Sequence, residues 1–118
     1  MKNIGLEAQI NKLPQGYDTP IKSRGQKFSK GMIDKILLAR SIADKPKLLL
    51  IKDAFSSILP EERVRILKFL THPDRNWTLI LATSNIELAK NMSKIILLKD
   101  GKTKKMIYFS LFKLYLLR

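Results

Sequence analysis

An uninterrupted apolar run, Leu48 to Ile51, constrains the fold of this chain more than any other feature. Four consecutive aliphatic residues without polar alternation are typical of a strand that is buried on both faces of a parallel sheet. Two further runs, residues 78–83 and 94–98, predict a second and a third strand. Helical patterns separate the three runs, and this alternation predicts an α/β fold, a parallel sheet flanked by helices with right-handed crossovers.

Helix signals lie before and between these strands. The Ser29 hydroxyl can accept a hydrogen bond from a free amide of the next turn, which predicts a helix over residues 30–43. Pro60 suits the first position of a helix over residues 60–70, because its missing N–H has no partner to lose there. Shorter helices are expected over residues 4–12 and 86–91. The apolar residues expected to face the core are Ile4, Ala8, Ile10, Ile33, Ile36, Leu37, Ala43, Val64, Ile66, Leu67 and Leu70.

The composition limits the class of protein. The 118 residues allow one domain at most, and 45% of them are hydrophobic, which is enough for a core. Without cysteine there is no disulfide framework and no cysteine-ligated zinc. The first residues lack the apolar core of a signal peptide, and no stretch reaches the roughly 18 apolar residues of a membrane span. The sequence therefore predicts a cytoplasmic location, with docking at the cytoplasmic face of a membrane as a further option.

The formal net charge of +13 is the second unusual property of the chain. A basic surface attracts nucleic acid, anionic lipid or an acidic protein. The basic residues are spread along the chain without a long run, so an ordinary solvated basic face is the simpler interpretation. A non-enzymatic basic module that binds nucleic acid or an anionic membrane surface is the alternative function, and its binding would depend strongly on salt.

The stretch from Leu13 to Leu59 carries several motifs in a fixed order. It opens with Leu13-Pro14-Gln15-Gly16-Tyr17-Asp18-Thr19, passes Phe28-Ser29-Lys30-Gly31-Met32 and ends with the apolar run and Lys52-Asp53-Ala54-Phe55-Ser56-Ser57-Ile58-Leu59. Their order and spacing resemble the second half of the ATP-binding domain of ABC transporters. The first motif is similar to that of exporters, in which this domain is fused to membrane helices. The resemblance covers roughly residues 6–102 and implies part of a P-loop NTPase sheet.

The resemblance implies a nucleotide contact at the start of the helix over residues 30–43. In the family, a Leu-Ser-Gly-Gly-Gln signature at such a helix N-terminus meets the γ-phosphate that the opposite subunit holds. Ser29, Lys30, Gly31 and Met32 match that signature, so they are candidate ATP contacts in trans. Lys30 could approach a phosphate as a point charge but could also block close backbone approach, and Met32 cannot make the hydrogen bonds of glutamine.

The acidic positions of the family are altered in this chain. One alignment places Lys52 at the carboxylate that holds Mg²⁺ and Asp53 at the catalytic glutamate. An alignment shifted by one residue makes Asp53 the metal carboxylate and leaves Ala54 at the base. The γ-phosphate-sensing histidine matches Ser84, and Leu59 replaces an aspartate. Asp53 and Ser84 are thus candidate catalytic residues that the resemblance implies are impaired, and no metal site is expected in this chain.

The P-loop pattern G-x-x-x-x-G-K-[ST] does not occur in the sequence. In the family this loop lies in the first half of the domain, so the resemblance implies that ATP binds only with a partner that supplies it. The expected partners are a transporter membrane subunit or a second nucleotide-binding domain. Residues 1–45 correspond to the end of the helical subdomain, 46–102 to the second half of the ATPase core and 103–118 to a divergent tail.

The tail resembles nothing in the family. It combines apolar residues with lysine and arginine, and helical spacing would place Ile107, Leu111, Leu114 and Leu117 on one face, as in an interfacial membrane helix. An ordinary core-covering strand or helix, or an extension after a frame change, are the alternatives. Apolar patches that the absent half normally covers would favour dimerisation or aggregation.

The hypothesis that joins these observations is a truncated, degenerate exporter cassette. Such a chain has ATPase ancestry without a complete catalytic set, so it is not assigned an enzymatic activity of its own. It would be unable to hydrolyse ATP alone and would act through association with transporter subunits.

Overall fold

The computed structural model describes residues 4–21, 28–52, 55–108 and 114–117, with side chains up to residue 106. Short helices come first, and the remaining elements alternate between helix and strand until a final pair of strands. In chain order they are α1 (Leu6–Ile10), a 3₁₀ helix (Gly16–Asp18), α2 (Lys30–Ala43), β1 (Leu48–Lys52), α3 (Pro60–Thr71), β2 (Thr78–Thr83), α4 (Ile86–Ala89), β3 (Lys94–Lys99), β4 (Lys102–Tyr108) and β5 (Leu114–Leu117).

The described strands form a single sheet in the order β1-β2-β5-β3-β4. The pairs β1 with β2, β2 with β5, and β5 with β3 are parallel, and β4 is antiparallel to β3 across the Asp100–Gly101 turn. The predicted α/β class with a parallel sheet flanked by helices is therefore confirmed. The sheet has two strands beyond the three that the apolar runs predict, and both lie after residue 101.

The last strand, β5, joins the two halves of the sheet. Leu114 pairs with Ile80 of β2 on one side and with Lys94 of β3 on the other. The backbone amides and carbonyls on the inner edges of β2 and β3 obtain their hydrogen-bond partners from this strand, and a helix would leave them open. Of the options stated for the tail, a strand is therefore present over residues 114–117 and the interfacial helix is wrong there. Residues 109–113 and 118 lie outside the described residues.

The helix boundaries follow the local signals closely. Ser29 Oγ accepts a hydrogen bond from the Met32 amide at 3.2 Å, and α2 covers residues 30–43 as predicted. Pro60 opens α3, which ends one residue beyond the expected end. Asn85 caps α4 by accepting from the amides of Glu87 and Leu88, and this helix is only four residues long.

One face of the sheet carries the core. Leu49, Leu79, Leu81 and Ile95 are buried there, in one apolar cluster with residues of α1, α2, α3 and α4. The helical stripes differ in part from the predicted ones, because Ala8, Leu37, Ala43 and Val64 are exposed. In α2 the buried residues are Met32, Lys35 and Leu38, so the buried stripe is rotated by about one residue from the predicted Ile33, Ile36 and Leu37.

The opposite face of β1 is exposed, which corrects the prediction of a strand buried on both faces. Strand register places Leu48 and Leu50 on that face, together with Ile80 and Ala82 of β2. Leu48 is 51% exposed and Leu50 is 66% exposed. The apolar run is present as predicted, but in the described part of the chain no helix covers its second side.

An ion pair between buried Lys35 and partly exposed Glu62 joins α2 to α3. Lys35 is 1% exposed, and its Nζ donates to Glu62 Oε1 at 2.7 Å. Gly5, the residue before α1, lies against this pair, since a Cβ on Gly5 would come within 3.1 Å of the Glu62 carboxylate. A buried lysine is costly without a partner, so this contact fixes how three helices meet.

We expect Glu62→Ala to lower the free energy of unfolding by about 3 kcal/mol, because it leaves the Lys35 ammonium buried and unpaired. Urea denaturation followed by circular dichroism measures this change. The control is Glu61→Ala, an exposed neighbour in the same helical turn, which should cost only about 0.3–1 kcal/mol through the helix dipole. Equal losses for the two variants would show that the Lys35–Glu62 pair does not hold the helices together.

Candidate functional site

The signature-like residues form the N-terminal turn of α2. Ser29 and Lys30 are exposed there, and the Ser29 hydroxyl is engaged as an acceptor by the Met32 amide. Met32 points inward and is 7% exposed, so its side chain belongs to the core. Of the four predicted contacts, Ser29 and Lys30 are therefore the ones exposed at this end of the helix.

Gly31 is where this turn meets the segment that follows β1. A Cβ placed on Gly31 would lie 2.5 Å from the carbonyl oxygen of Ser57 and 3.8 Å from Ile58 Cγ1. No side-chain rotation relieves contact with a backbone oxygen. Glycine at this position therefore allows the start of α2 to pack directly on residues 55–58, and the sequence motif has a structural reason that does not depend on nucleotide.

The segment of residues 55–59 is held by its own contacts. Phe55 is buried at 2% exposure although its φ is +78°, a left-handed conformation that side chains rarely adopt. Arg63 of α3 donates from Nε to the Ile58 carbonyl at 2.7 Å and from Nη2 to the Ser56 carbonyl at 3.1 Å. We call residues 55–59 the linker turn.

Sequence reasoning missed Arg63. A signal was available, since an arginine near the N-terminus of a helix is unfavourable with the helix dipole and so suggests a specific contact. Its guanidinium donates to two backbone carbonyls of the linker turn, which belong to no helix or strand. These hydrogen bonds hold the linker turn against the start of α3.

A cavity of about 410 Å³ lies between α2 and the edge strand β1. Lys30, Asp34 and Lys52 line it, together with Leu50 and Phe55. Lys52 is exposed at the carboxyl end of β1, so two lysines and one carboxylate share this opening. Such a set suits an anion better than a divalent cation, because two of its three charged groups are cations.

Ser84 follows the end of β2 and is exposed. It lines an opening of about 300 Å³ with Ser56 and Arg63, so it lies beside the linker turn. Its local geometry is set by Thr83, whose Oγ1 accepts from the Asn85 amide at 3.1 Å. A hydroxyl in this place can donate a hydrogen bond to phosphate oxygen, but it cannot carry the charge that an imidazole gains on protonation.

The linker turn lies next to two of the predicted site residues. Gly31 contacts it on one side, and Ser84 lies beside it on the other. Asp53, the predicted base, lies outside the described residues, as does Ala54.

No cluster of three or more potential metal-binding His, Cys, Asp or Glu residues occurs within residues 4–21, 28–52 and 55–106. Among the described helices, none is long and apolar enough to cross a membrane.

An apolar groove lies on the other side of α2. It has a volume of about 350 Å³, and the Leu13–Thr19 motif and α1 form its far wall. Tyr17 and Ile21 at its rim are 59% and 61% exposed. The exporter-like motif thus shapes a groove at the surface rather than contributing to the site at the linker turn.

We expect Gly31→Ala to destabilise the chain by about 1–3 kcal/mol, because the new Cβ forces the start of α2 away from the Ser57 carbonyl. Thermal unfolding measures the loss. Lys30→Ala is the matched control, since residue 30 is exposed in the same turn. The packing account fails if Gly31→Ala is as stable as wild type or more stable, as the higher helix propensity of alanine alone would predict.

Curated relatives of this chain are ABC transporters. It is 34% identical over 100 residues to antigen peptide transporter 1 of Rattus norvegicus, an alignment that covers 82% of this chain and 14% of that protein. It is 33% identical over 97 residues to the ABC transporter ATP-binding protein YfiB of Bacillus subtilis, with 82% of this chain and 17% of that protein covered. The ATP-dependent lipid A-core flippase of Desulfotalea psychrophila is 30% identical over 93 residues, or 79% of this chain and 16% of the flippase.

Solved structures give the same result. A bacterial Atm1-family ABC exporter with ATP bound superposes with a TM-score of 0.82 at 27% identity, over 89% of this chain and 18% of that one. No protein-family profile matches the chain. The chain spans less than a fifth of the length of each of these relatives. The resemblance drawn from the motifs is confirmed: over most of its length, this chain is homologous to the ATP-binding part of ABC transporters of the exporter type.

Proposed function

We propose that this chain is a truncated and degenerate part of an exporter ATP-binding cassette that does not hydrolyse ATP alone. The observation that carries the proposal is the shared cavity of Lys30 and Lys52 between α2 and β1. Lys30 stands at a glycine of the family signature. In one of the two possible alignments, Lys52 stands at the metal carboxylate of the family. Ser84 stands at the position of the γ-phosphate-sensing histidine and lacks its imidazole. The sequence also contains no P-loop pattern.

The parts that remain are those that contact a second chain. The N-terminal turn of α2 keeps Ser29 and Lys30 exposed, so this helix end can still meet a phosphate that another subunit holds. ATP would bind only where a partner supplies the P-loop. In this proposal no metal is held by residues of this chain.

Association with transporter subunits is the second half of the proposal. The groove beside Tyr17 and Ile21 is apolar and open, which suits an apolar segment of another subunit. A membrane subunit of an exporter or a second nucleotide-binding domain would be the partner, and the chain would then lie at the cytoplasmic face of the membrane.

The purified chain should release phosphate from Mg²⁺–ATP no faster than buffer does, because no P-loop and only one of the two acids are present. A coupled phosphate assay at millimolar ATP measures this rate. Asp53→Ala is the control for contaminating ATPases and should leave any residual rate unchanged.

The opposite result is well defined. A rate clearly above background that Asp53→Ala abolishes would show that the chain hydrolyses ATP alone, and the proposal would have to be given up.

A further inference from the structure

The hairpin of β3 and β4 lies in the most one-sidedly charged part of the chain. Residues 89–118 contain eight of its 23 lysines and arginines but only one of its ten acidic residues, Asp100. Four exposed lysines lie at the turn around that residue and on β4: Lys99, Lys102, Lys104 and Lys105. We call these four residues the lysine cluster. Among the described residues, none of the four forms an ion pair with a carboxylate.

Strand register brings the cluster together on one surface. Lys99 lies directly opposite Lys102, and Lys105 lies opposite Leu97, so these four residues share one face of the hairpin. A register shift between the two strands leaves Lys104 opposite no residue of β3, next to Lys105. Like charges that face each other across a strand pair are destabilising. Folding of the hairpin therefore does not favour this set of residues, whereas an anionic partner would neutralise it.

Lysines on an edge strand also have a purely structural use. In the described part of the chain β4 pairs with β3 alone, so it is an edge of the sheet. Charged side chains on such a strand discourage further strands from adding. This use accounts for lysines on β4, but it does not require Lys99 on the inner strand, directly opposite Lys102.

The remaining side chains of the hairpin indicate which kind of anion fits. Leu97 is 38% exposed on the same face as three of the lysines. Binding to a lipid surface gains both from apolar area buried at the headgroup boundary and from attraction to anionic lipid. Residues 94–106 contain no arginine and no aromatic residue, which are the side chains that most often read guanine and stack on bases. The composition therefore favours a membrane surface over nucleic acid.

We propose that the lysine cluster docks on an anionic lipid surface. The inference rests on the proposed function, since it adds a direct lipid contact to a chain that lies at the cytoplasmic face of the membrane. Each lysine near such a surface strengthens binding roughly fivefold, so the cluster alone gives a weak and reversible contact. Stable attachment takes a second signal, which association with transporter subunits would supply.

Sedimentation of the full chain with lipid vesicles tests this contact. Vesicles of an equal mixture of phosphatidylcholine and phosphatidylserine are compared with vesicles of phosphatidylcholine alone. At low ionic strength the chain is expected to sediment with the anionic vesicles only, and added salt should release it because salt screens the attraction. Lys102→Gln combined with Lys105→Gln should lower the partition coefficient about 25-fold, since two lysines of the shared face are removed.

Lys47→Gln combined with Lys68→Gln is the matched control. Both residues are exposed and lie outside the hairpin, before β1 and in α3, so the same net charge is removed elsewhere. This variant should bind within about threefold of wild type. Circular dichroism checks that both variants fold, and Lys104→Gln with Lys105→Gln replaces the first pair if it does not fold. The proposal is overturned if the chain does not sediment with anionic vesicles, or if the two variants lose binding equally.

A labelled single-stranded oligonucleotide separates the two kinds of polyanion. Binding to the oligonucleotide without binding to the anionic vesicles would make nucleic acid the occupant and would overturn the proposal. Failure of the vesicle experiment leaves the ATPase prediction for the isolated chain untouched. Conversely, ATP turnover by the isolated chain would remove the proposed function while the hairpin could still bind vesicles.

Discussion

The requirement that a parallel sheet be covered on both faces governs this structure. Its strands carry aliphatic side chains on both sides, yet the described helices pack on one side only. Burying a leucine side chain is worth about 1.5–3 kcal/mol, so exposed Leu48 and Leu50 represent stabilisation that the chain alone does not obtain. A small domain has little stability to spare. The fold therefore depends more heavily on the contacts that it does make.

Two of those contacts hold separate parts of the chain together. The four residues of β5 connect β2 with β3, so the sheet is continuous only through the last described strand. The Lys35–Glu62 pair fixes α2 against α3, and Gly5 packs on it. Together with the Gly31–Ser57 contact and the Arg63 hydrogen bonds, these interactions position the linker turn. The scaffold that this chain shares with exporter cassettes is thus held by contacts between its own residues.

Local signals predicted much of this fold. The Ser29 cap, Pro60 and the Thr78–Thr83 run gave α2, α3 and β2 nearly to the residue, because each depends on neighbours along the chain. The apolar run predicted strand β1 correctly but predicted burial on both of its faces, whereas one face is exposed. Burial depends on covering elements that a run of four residues does not encode. The tail was left open between an interfacial helix, a core-covering strand or helix and an extension, because its extended form depends on pairing with β2 and β3. At the site, family spacing gave the signature-like turn and Ser84, whose roles stay predictions. Arg63 and buried Lys35 could not be predicted in this way, because they act through tertiary contacts.

A calorimetric titration of the purified chain with Mg²⁺–ATP tests the central claim most directly. The claim is that this chain keeps the cassette scaffold but needs another chain to hold nucleotide. The account predicts no saturable heat up to millimolar ATP, because the sequence contains no P-loop pattern to hold the phosphates. Saturable one-site binding at micromolar ATP by the isolated chain would contradict it.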